Sequence, residues 1–370
     1  MSDDFKGSIA QQYISFSAIT VQGAETGENY YSVVLFAGDA EAGNLLVTAP
    51  AIGDVIELSS SNFAELTKGA LLTDLTAFYA ANSLTKVYVV IYDDALVTTG
   101  TFVAGAVTAL TTQFNLQKHL GYFKLMTLSN NIPAHVALAT LCDADTLLSK
   151  SWIPANDAGM LLADSVTSMY AVAVAANTDP VIVYHPTKNG ALAQLGMTLG
   201  ALNGSGTPVG NSVDYIAMDS INPSGTAGAN LDAASVTVLT NHKCGFFLTV
   251  GDGTGNIALK GGKTIKGNLP GAQWVVQYIN YMSATRAANY LTQLNRFRNN
   301  STYRAILNIL VTLLTVFEGI GRLSGTKITA PAFANLPASA GDAIIIPNAW
   351  EAYFNDGVRT VQVQGTLYIS

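Results

Sequence analysis

The chain has 370 residues, 49 % of them hydrophobic and only 12 % charged, with a formal net charge of −7. That length exceeds what a single hydrophobic core usually organises, so two domains are expected. The acidic balance argues against a general affinity for nucleic acid.

In chain order, Tyr13–Val21 alternates Ile14, Phe16 and Ala18 against Ser15 and Ser17, the period-2 pattern of a half-buried strand. Turn chemistry at Gly23–Asn29 leads into a continuous apolar strand, Tyr31–Ala37. Helices are predicted over Ser61–Ala81 (broken at Lys68–Gly69), Thr101–Leu116, Pro133–Ser149, Val166–Ala176 and Ala191–Leu202. Between them the strands Lys86–Tyr92, Tyr122–Leu128, Gly159–Ala163 and Val181–Tyr184 are predicted. Alternating strands and helices, with strands apolar throughout, point to a mainly parallel sheet covered on both faces. Residues 30–205 therefore read as an α/β domain.

Two Pro/Gly/Ser clusters flanking Val213–Met218 make 206–230 the expected crossing between domains. Beyond it come a helix Ala233–Thr240, a strand Gly245–Val250, a G-D-G-T-G-N turn and an answering strand Ile257–Leu259. Gln273–Arg298 is the longest helical pattern, with Trp274, Tyr278, Tyr281, Ala284, Ala288 and Leu291 on one stripe. A helix Tyr303–Glu318, a bend at Gly319–Gly321 and an apolar run Ala343–Ile346 follow. The final segment, Val358–Ser370, sets Val361, Val363, Leu367 and Ile369 against Thr360, Gln362, Gln364, Thr366 and Tyr368. Such a strand must pair its backbone somewhere, and another molecule is the expected partner.

Chemistry-bearing motifs are sparse. Gly251–Asn256 and the G-G-K-T of Gly261–Thr264 suggest a phosphate loop, but a Walker loop needs glycine where Ile257 stands, so these glycines read as turns. His119, His135, His185 and His242 form no metal-ligand spacing, and Cys142 and Cys244 read as reduced, buried thiols. Asp93 and Asp94, Asp164 and His185 fall at predicted strand ends, where α/β enzymes place catalytic groups, and Asp93, Asp164 and His185 define the enzyme alternative. Acids and histidines at such places are also ordinary helix caps and loop residues. The opening M-S-D-D-F-K-G-S lacks the regions of a signal peptide. Ala305–Phe317, interrupted by Asn308, is too short to span about 30 Å of hydrocarbon, so a soluble protein without a membrane partner is expected.

Charge is unevenly placed. From Lys260 to Lys327 nine basic residues face a single acid, Glu318; this stretch carries +8 and leaves −15 for the remainder. A basic face on an acidic protein steers an acidic partner or orients copies of the chain on one another.

Several C-terminal features resemble contractile phage tail sheath proteins. These are Val181–His185 (V-I-V-Y-H), the small-residue helix with Gly196 and Gly200, Thr240–Gly255, Gly261–Gly267, the helix opening at Gln273–Trp274, and the Arg-led strand Arg359–Ile369. Such proteins often carry Asp where Gln273 stands. The resemblance covers roughly 180–370, and implies an outer α/β domain (30–205) beside an α+β inner domain (231–357) with long helices. It also implies an N-terminal arm (1–29) and a C-terminal arm (358–370) that add strands to neighbouring copies. The arm residues are Tyr13, Ile14, Phe16, Val361, Val363, Leu367 and Ile369, with Gly23, Gly341 and Gly357 as hinges. Implied partners are copies of the chain in hexameric rings, a tail tube protein, and baseplate and terminator proteins. The expected location is a virion assembled in a host cytoplasm, with no cofactor, metal or catalysis. By charge, Arg286, Arg296, Arg298 and Arg304 are the candidates to face the tube. Another virion structural protein, a capsid or adhesin component, remains the third reading.

Overall fold

The computed structural model describes residues 11–15, 18–21, 32–83, 85–94, 104–117, 120–127, 131–145, 150–200, 216–217, 221–250, 256–260, 262–268, single positions between 275 and 290, 300–321, 323–336, 344–347 and 349–355. The chain divides into two compact units: Met1–Thr26 with Trp274–Ser370, and Gly27–Gln273. The division thus differs from a crossing at 206–230, because residues 231–273 belong with the large sheet. The predicted arm Tyr13–Val21 contains two strands, β1 (Gln11–Ser15) and β2 (Ala18–Val21).

In the larger unit, β3 (Val33–Gly38), β4 (Val55–Leu58), β5 (Val87–Tyr92), β6 (Phe123–Met126), β7 (Lys150–Ala155) and β8 (Val181–Tyr184) form one sheet, ordered β4-β5-β3-β6-β7-β8. All neighbours are parallel except β4, which adds antiparallel at one edge. Every residue of β3, β5, β6, β7 and β8 is buried, the signature of strands covered on both faces. The helices are α1 (Asp39–Leu45), α2 (Phe63–Leu66), α3 (Gly69–Ala81), α4 (Ala104–Gln117), α5 (Ile132–Ala144), α6 (Met169–Ala175), α7 (Gly190–Gly200) and α8 (Ala233–Asn241). Val34, Phe36, Tyr88, Val90 and Met126 point at α4 and α5, where Leu110, Phe114, Leu138 and Cys142 meet them. On β8, Ile182 and Tyr184 pack with α6 and α8, whereas Val183 faces the start of α7, so both faces are covered. Gly196 lets α7 approach α3: a Cβ there would lie 2.9 Å from the Phe78 carbonyl oxygen.

Two predictions in this unit need correction. Gly159–Ala163 is not a strand; Ala158–Leu161 is a 3-10 turn with only Met160 buried. The sheet position belongs to β7, K-S-W-I-P-A, unnoticed in the sequence because Pro154 cannot donate to a ladder. The proline is accommodated because pairing with β6 covers only Lys150 and Ser151, while β8 pairs with Trp152–Ala155. Strand β4 and helix α1 were also unforeseen.

A small antiparallel sheet, β9 (Ile216–Ala217), β10 (Phe246–Val250) and β11 (Asn256–Lys260), ordered β10-β11-β9, is stitched to β8. Gly245 donates to the Ile182 carbonyl at 2.9 Å and accepts from Tyr184 N–H at 2.8 Å. Val250 pairs with Asn256, so β10 and β11 run antiparallel; Gly251–Gly255 lie outside the described residues. Gly262 serves backbone packing, since a Cβ there would fall 2.5 Å from Gly245 N. A buried ion pair fixes the next segment. Lys150 Nζ lies 3.1 Å from Asp179 Oδ2, and Asp179 also accepts from Lys266 N (2.8 Å) and Asn268 Nδ2 (3.3 Å).

The other unit contains β1, β2, α9 (Asn300–Gly319), β12 (Leu323–Ile328), β13 (Ile344–Pro347) and β14 (Trp350–Asn355). Described positions from Val275 to Tyr290 are helical as predicted; Trp274, Tyr281, Ala284, Ala288 and Leu291 lie outside the described residues. By length and composition α9 is apolar enough to cross a membrane. Its buried residues Tyr303, Ile306, Leu310, Leu313, Leu314 and Phe317 form a single stripe, as in a helix packed on a protein core. Tyr278 packs edge-on against Phe317 with ring centroids 5.6 Å apart.

Candidate functional site

Two regions merit inspection: the C-terminal ends of the parallel strands, where doubly wound sheets bind ligands, and the sheet that gathers the chain's two ends.

At the strand ends, Asp93 and His185 follow β5 and β8, which are four strand spacings apart, about 19 Å at about 4.8 Å each. Asp164 lies in an exposed turn after the 3-10 segment. The structure therefore does not assemble these three residues into one constellation. His185 is a brace. Its Nδ1 accepts from Thr187 N (3.2 Å) and Lys188 N (3.0 Å), which leaves Nε2 to donate to the Asn222 carbonyl at 3.2 Å. Burial, reinforced by nearby Lys188, depresses its pKa to about 4, so the imidazole is neutral near pH 7.

Asp94, next to the predicted Asp93, has the more unusual environment. Its backbone N–H donates to Asp39 Oδ1 at 2.9 Å, while its own Oδ1 accepts from Ala40 N at 3.1 Å. Burial, then the Asp39 carboxyl, raises Asp94 to about 6; the side-chain bond to Asp94 lowers Asp39. These bonds close the ends of β3 and β5 on each other. Gly38 makes room, since a Cβ would lie 1.8 Å from Asp94 Oδ2. Nearby Glu41, raised by burial, accepts from the Thr127 hydroxyl at 3.1 Å. Among the described residues no cluster of three or more His, Cys, Asp or Glu side chains could hold a metal ion. Cys142 and Cys244 are buried free thiols with pKa values pushed up by burial.

Between the ends of β7 and β8 lies a cleft of about 280 Å³, lined by Ile132, Pro154, Asn156, Asp157, Met169 and Pro186. Asp157 Oδ2 accepts from Met169 N at 3.4 Å, and Asn156 Nδ2 donates to the Lys188 carbonyl at 3.3 Å. Burial raises the Asp157 pKa against the pull of the Met169 N–H.

In the smaller unit, β14 is flanked by β1 and β12, both antiparallel, while β13 pairs with β2. Gln11 stands opposite Asn355, Ser15 opposite Glu351, and Val21 opposite Ile344. The N-terminal strands containing Tyr13 and Ile14 thus pair with strands more than 300 positions away in their own chain, β1 lying at the edge of its sheet. The opposite edge, β12, has a bulge between Ser324 and Lys327, with Gly325 at φ +59° under the Tyr353 ring. Thr326 ties this edge to α9 by donating to Glu318 Oε2 at 2.8 Å. Bulges and lysines guard edges against further pairing. Arg286 and Arg304 are exposed on helical segments. Phe16, Arg296, Arg298, Gly23, Gly341, Gly357, Val361, Val363, Leu367 and Ile369 lie outside the described residues.

Comparisons with known proteins bear on the fold. No family model and no curated protein sequence matches the chain. Among solved structures, the chain is similar to one from the cryo-EM structure of the anti-feeding prophage (AFP) baseplate, six-fold symmetrised. The TM-score is 0.62 at 10 % identity, covering 95 % of this chain and 96 % of that one. The fold is shared across nearly the whole of both chains.

Proposed function

We propose that the chain is a structural subunit of a contractile, phage-tail-like injection system, and specifically a sheath-type subunit that stacks as hexameric rings around a tail tube. The observation that carries this reading is the full-length match to a chain of a six-fold baseplate. The sheath-like C-terminal motifs support the finer assignment. In this reading the terminal segments link copies: Val358–Ser370 of one subunit adds to the strand layer formed by β1, β14 and β12 in the next. Because β12 carries the bulge and Lys327, β1 is the better acceptor edge. Strand addition uses backbone hydrogen bonds, which survive rotation of rigid subunits if the connecting segments bend. The proposed partners are the chain itself, a tube protein facing Arg286, Arg296, Arg298 and Arg304, and baseplate and terminator proteins; the proposed location is the particle's tail. Contraction then drives the tube through a cell envelope without chemistry in this subunit.

Deleting Val358–Ser370 tests the reading. Folded protomers that no longer form striated hollow tubes in negative-stain micrographs are expected; normal tubes from the truncated chain would overturn the arm role. Reversing Arg296 and Arg298 to Glu is expected to impair assembly on the tube while sparing sheath-only polymers.

A further inference from the structure

The cleft between β7 and β8 has a chemistry that the assembly reading does not use. Its walls are apolar, from Ile132, Pro154, Met169 and Pro186, and its polar groups are the Asp157 carboxylate and the Asn156 side chain. The Asn156 amide nitrogen spends one of its two hydrogens on the Lys188 carbonyl, and its oxygen is a further acceptor. The charged group of the cleft is therefore the Asp157 carboxylate. Asp157 forms no ion pair with a described lysine or arginine, and no cation contributes to its titration; burial outweighs the backbone N–H groups of Met169, Asp157, Met160 and Gly159 that pull the other way. Apolar walls ending in a carboxylate suit a side chain with a methylene stem and a cationic head.

We propose that this cleft is a socket for a lysine or arginine side chain from a second copy of the chain. Charge complementarity identifies the donor. The Lys260–Lys327 stretch carries +8 while the remainder of the chain, which includes the cleft, carries −15. Arg286, Arg304 and Lys327 are exposed cations of that stretch. The stem packs on Pro154, Pro186 and Met169, and the head pairs with Asp157, which relieves its desolvation. This assignment rests on the proposal that copies of the chain assemble, and it adds a contact independent of the terminal strands.

The test separates the two. Full-length protein at low salt is titrated with Nα-acetyl-arginine amide and with its neutral citrulline counterpart, followed by NMR. Saturable shifts around Asn156, Asp157 and Met169 are expected with arginine and not with citrulline. In Asp157→Asn, whose remaining side-chain oxygen can still accept from Met169 N, binding is expected to weaken about tenfold or more. Pro186→Trp, which fills the cleft, should abolish it; circular dichroism confirms that each variant is folded. Equal binding to wild type and Asp157→Asn, or equal binding of citrulline, overturns the socket. Copy-to-copy use is read by sedimentation: Asp157→Asn should associate less than wild type at about 0.05 M salt, with the difference vanishing near 0.5 M. Tubes that form identically in Asp157→Asn overturn the socket while leaving assembly intact. A wild-type chain that never polymerises, yet binds arginine amide in the cleft, overturns the assembly reading and with it the second copy as donor.

Discussion

The two compact units are built on opposite principles. In 27–273 strands alternate with helices, pair mostly in parallel and, apart from the edge strand β4, are buried along the main sheet. In the unit formed by 1–26 and 274–370, antiparallel strands from the chain's two ends meet: β1 and β2 find β14 and β13 across most of the sequence. Closing so long a loop has an entropic cost, and the same strand supplied by another molecule satisfies the same backbone groups. The first arrangement keeps its pairing within one continuous stretch of chain. The second joins segments more than 300 positions apart.

The largest expected effects break this comparison directly. Trp152 and Trp350 are both fully buried, one in each unit. Replacing either by Ala should cost about 3–5 kcal/mol. If the units are separate cooperative blocks, calorimetry shows two transitions and each variant lowers only its own; one transition moved by both would erase the distinction.

Next comes the clamp that rigidifies the larger unit. Lys150→Met strands the Asp179 carboxylate among its remaining donors and should cost about 3–5 kcal/mol. Asp179→Ala additionally frees Lys266 N and Asn268 Nδ2. Hydrogen exchange should therefore show the Lys266 amide losing protection in Asp179→Ala but keeping it in Lys150→Met.

A slightly smaller effect concerns pH. Burial raises Asp74 to about 6, although Asn189 N donates to it at 3.3 Å, while burial lowers His185 to about 4. A raised carboxyl favours the folded state at low pH, and that contribution is lost as pH rises from about 4 through 6. A depressed histidine does the reverse: its contribution is present above about 6.5 and is lost as pH falls toward 4. Each shift corresponds to about 3 kcal/mol and the two signs oppose. Asp74→Asn removes the first contribution alone. By urea unfolding, that variant should lose about 2 kcal/mol relative to wild type as pH falls from 6.5 to 4; a difference that does not change with pH would refute the role of Asp74.

The smallest effect tests local order. Ser168 caps α6 by accepting from Ala171 N at 3.3 Å, and Ser168→Ala should cost about 1 kcal/mol, measured by urea denaturation.

Much of the larger unit was legible in the sequence because the information is local. Continuous apolar runs such as V-Y-V-V-I-Y mark doubly covered strands, Asn131 and Pro133 mark the start of α5, and Gly69 at φ +60° marks the break between α2 and α3. The miss at β7 has an equally local cause: Pro154 argues against a central strand unless the end of the β6 pairing is known. The candidate site was less legible. Position after a strand was visible for Asp93 and His185, but strand order is a tertiary fact, and it separates them. Nothing near His185 in sequence announced the Asn222 carbonyl that holds its ring, and nothing near Asp94 announced Asp39.

By itself, then, the sequence determined the α/β class, most element positions, the low-charge surface and the segregated basic stretch, all of which are read over windows shorter than an element. Only the tertiary structure decided the order of the strands, the two units and their discontinuous boundary. It also turned the G-G-K-T glycine into a backbone contact and opened a cleft ending in Asp157. Those features depend on which distant segments meet, and local periodicity carries no information about that choice.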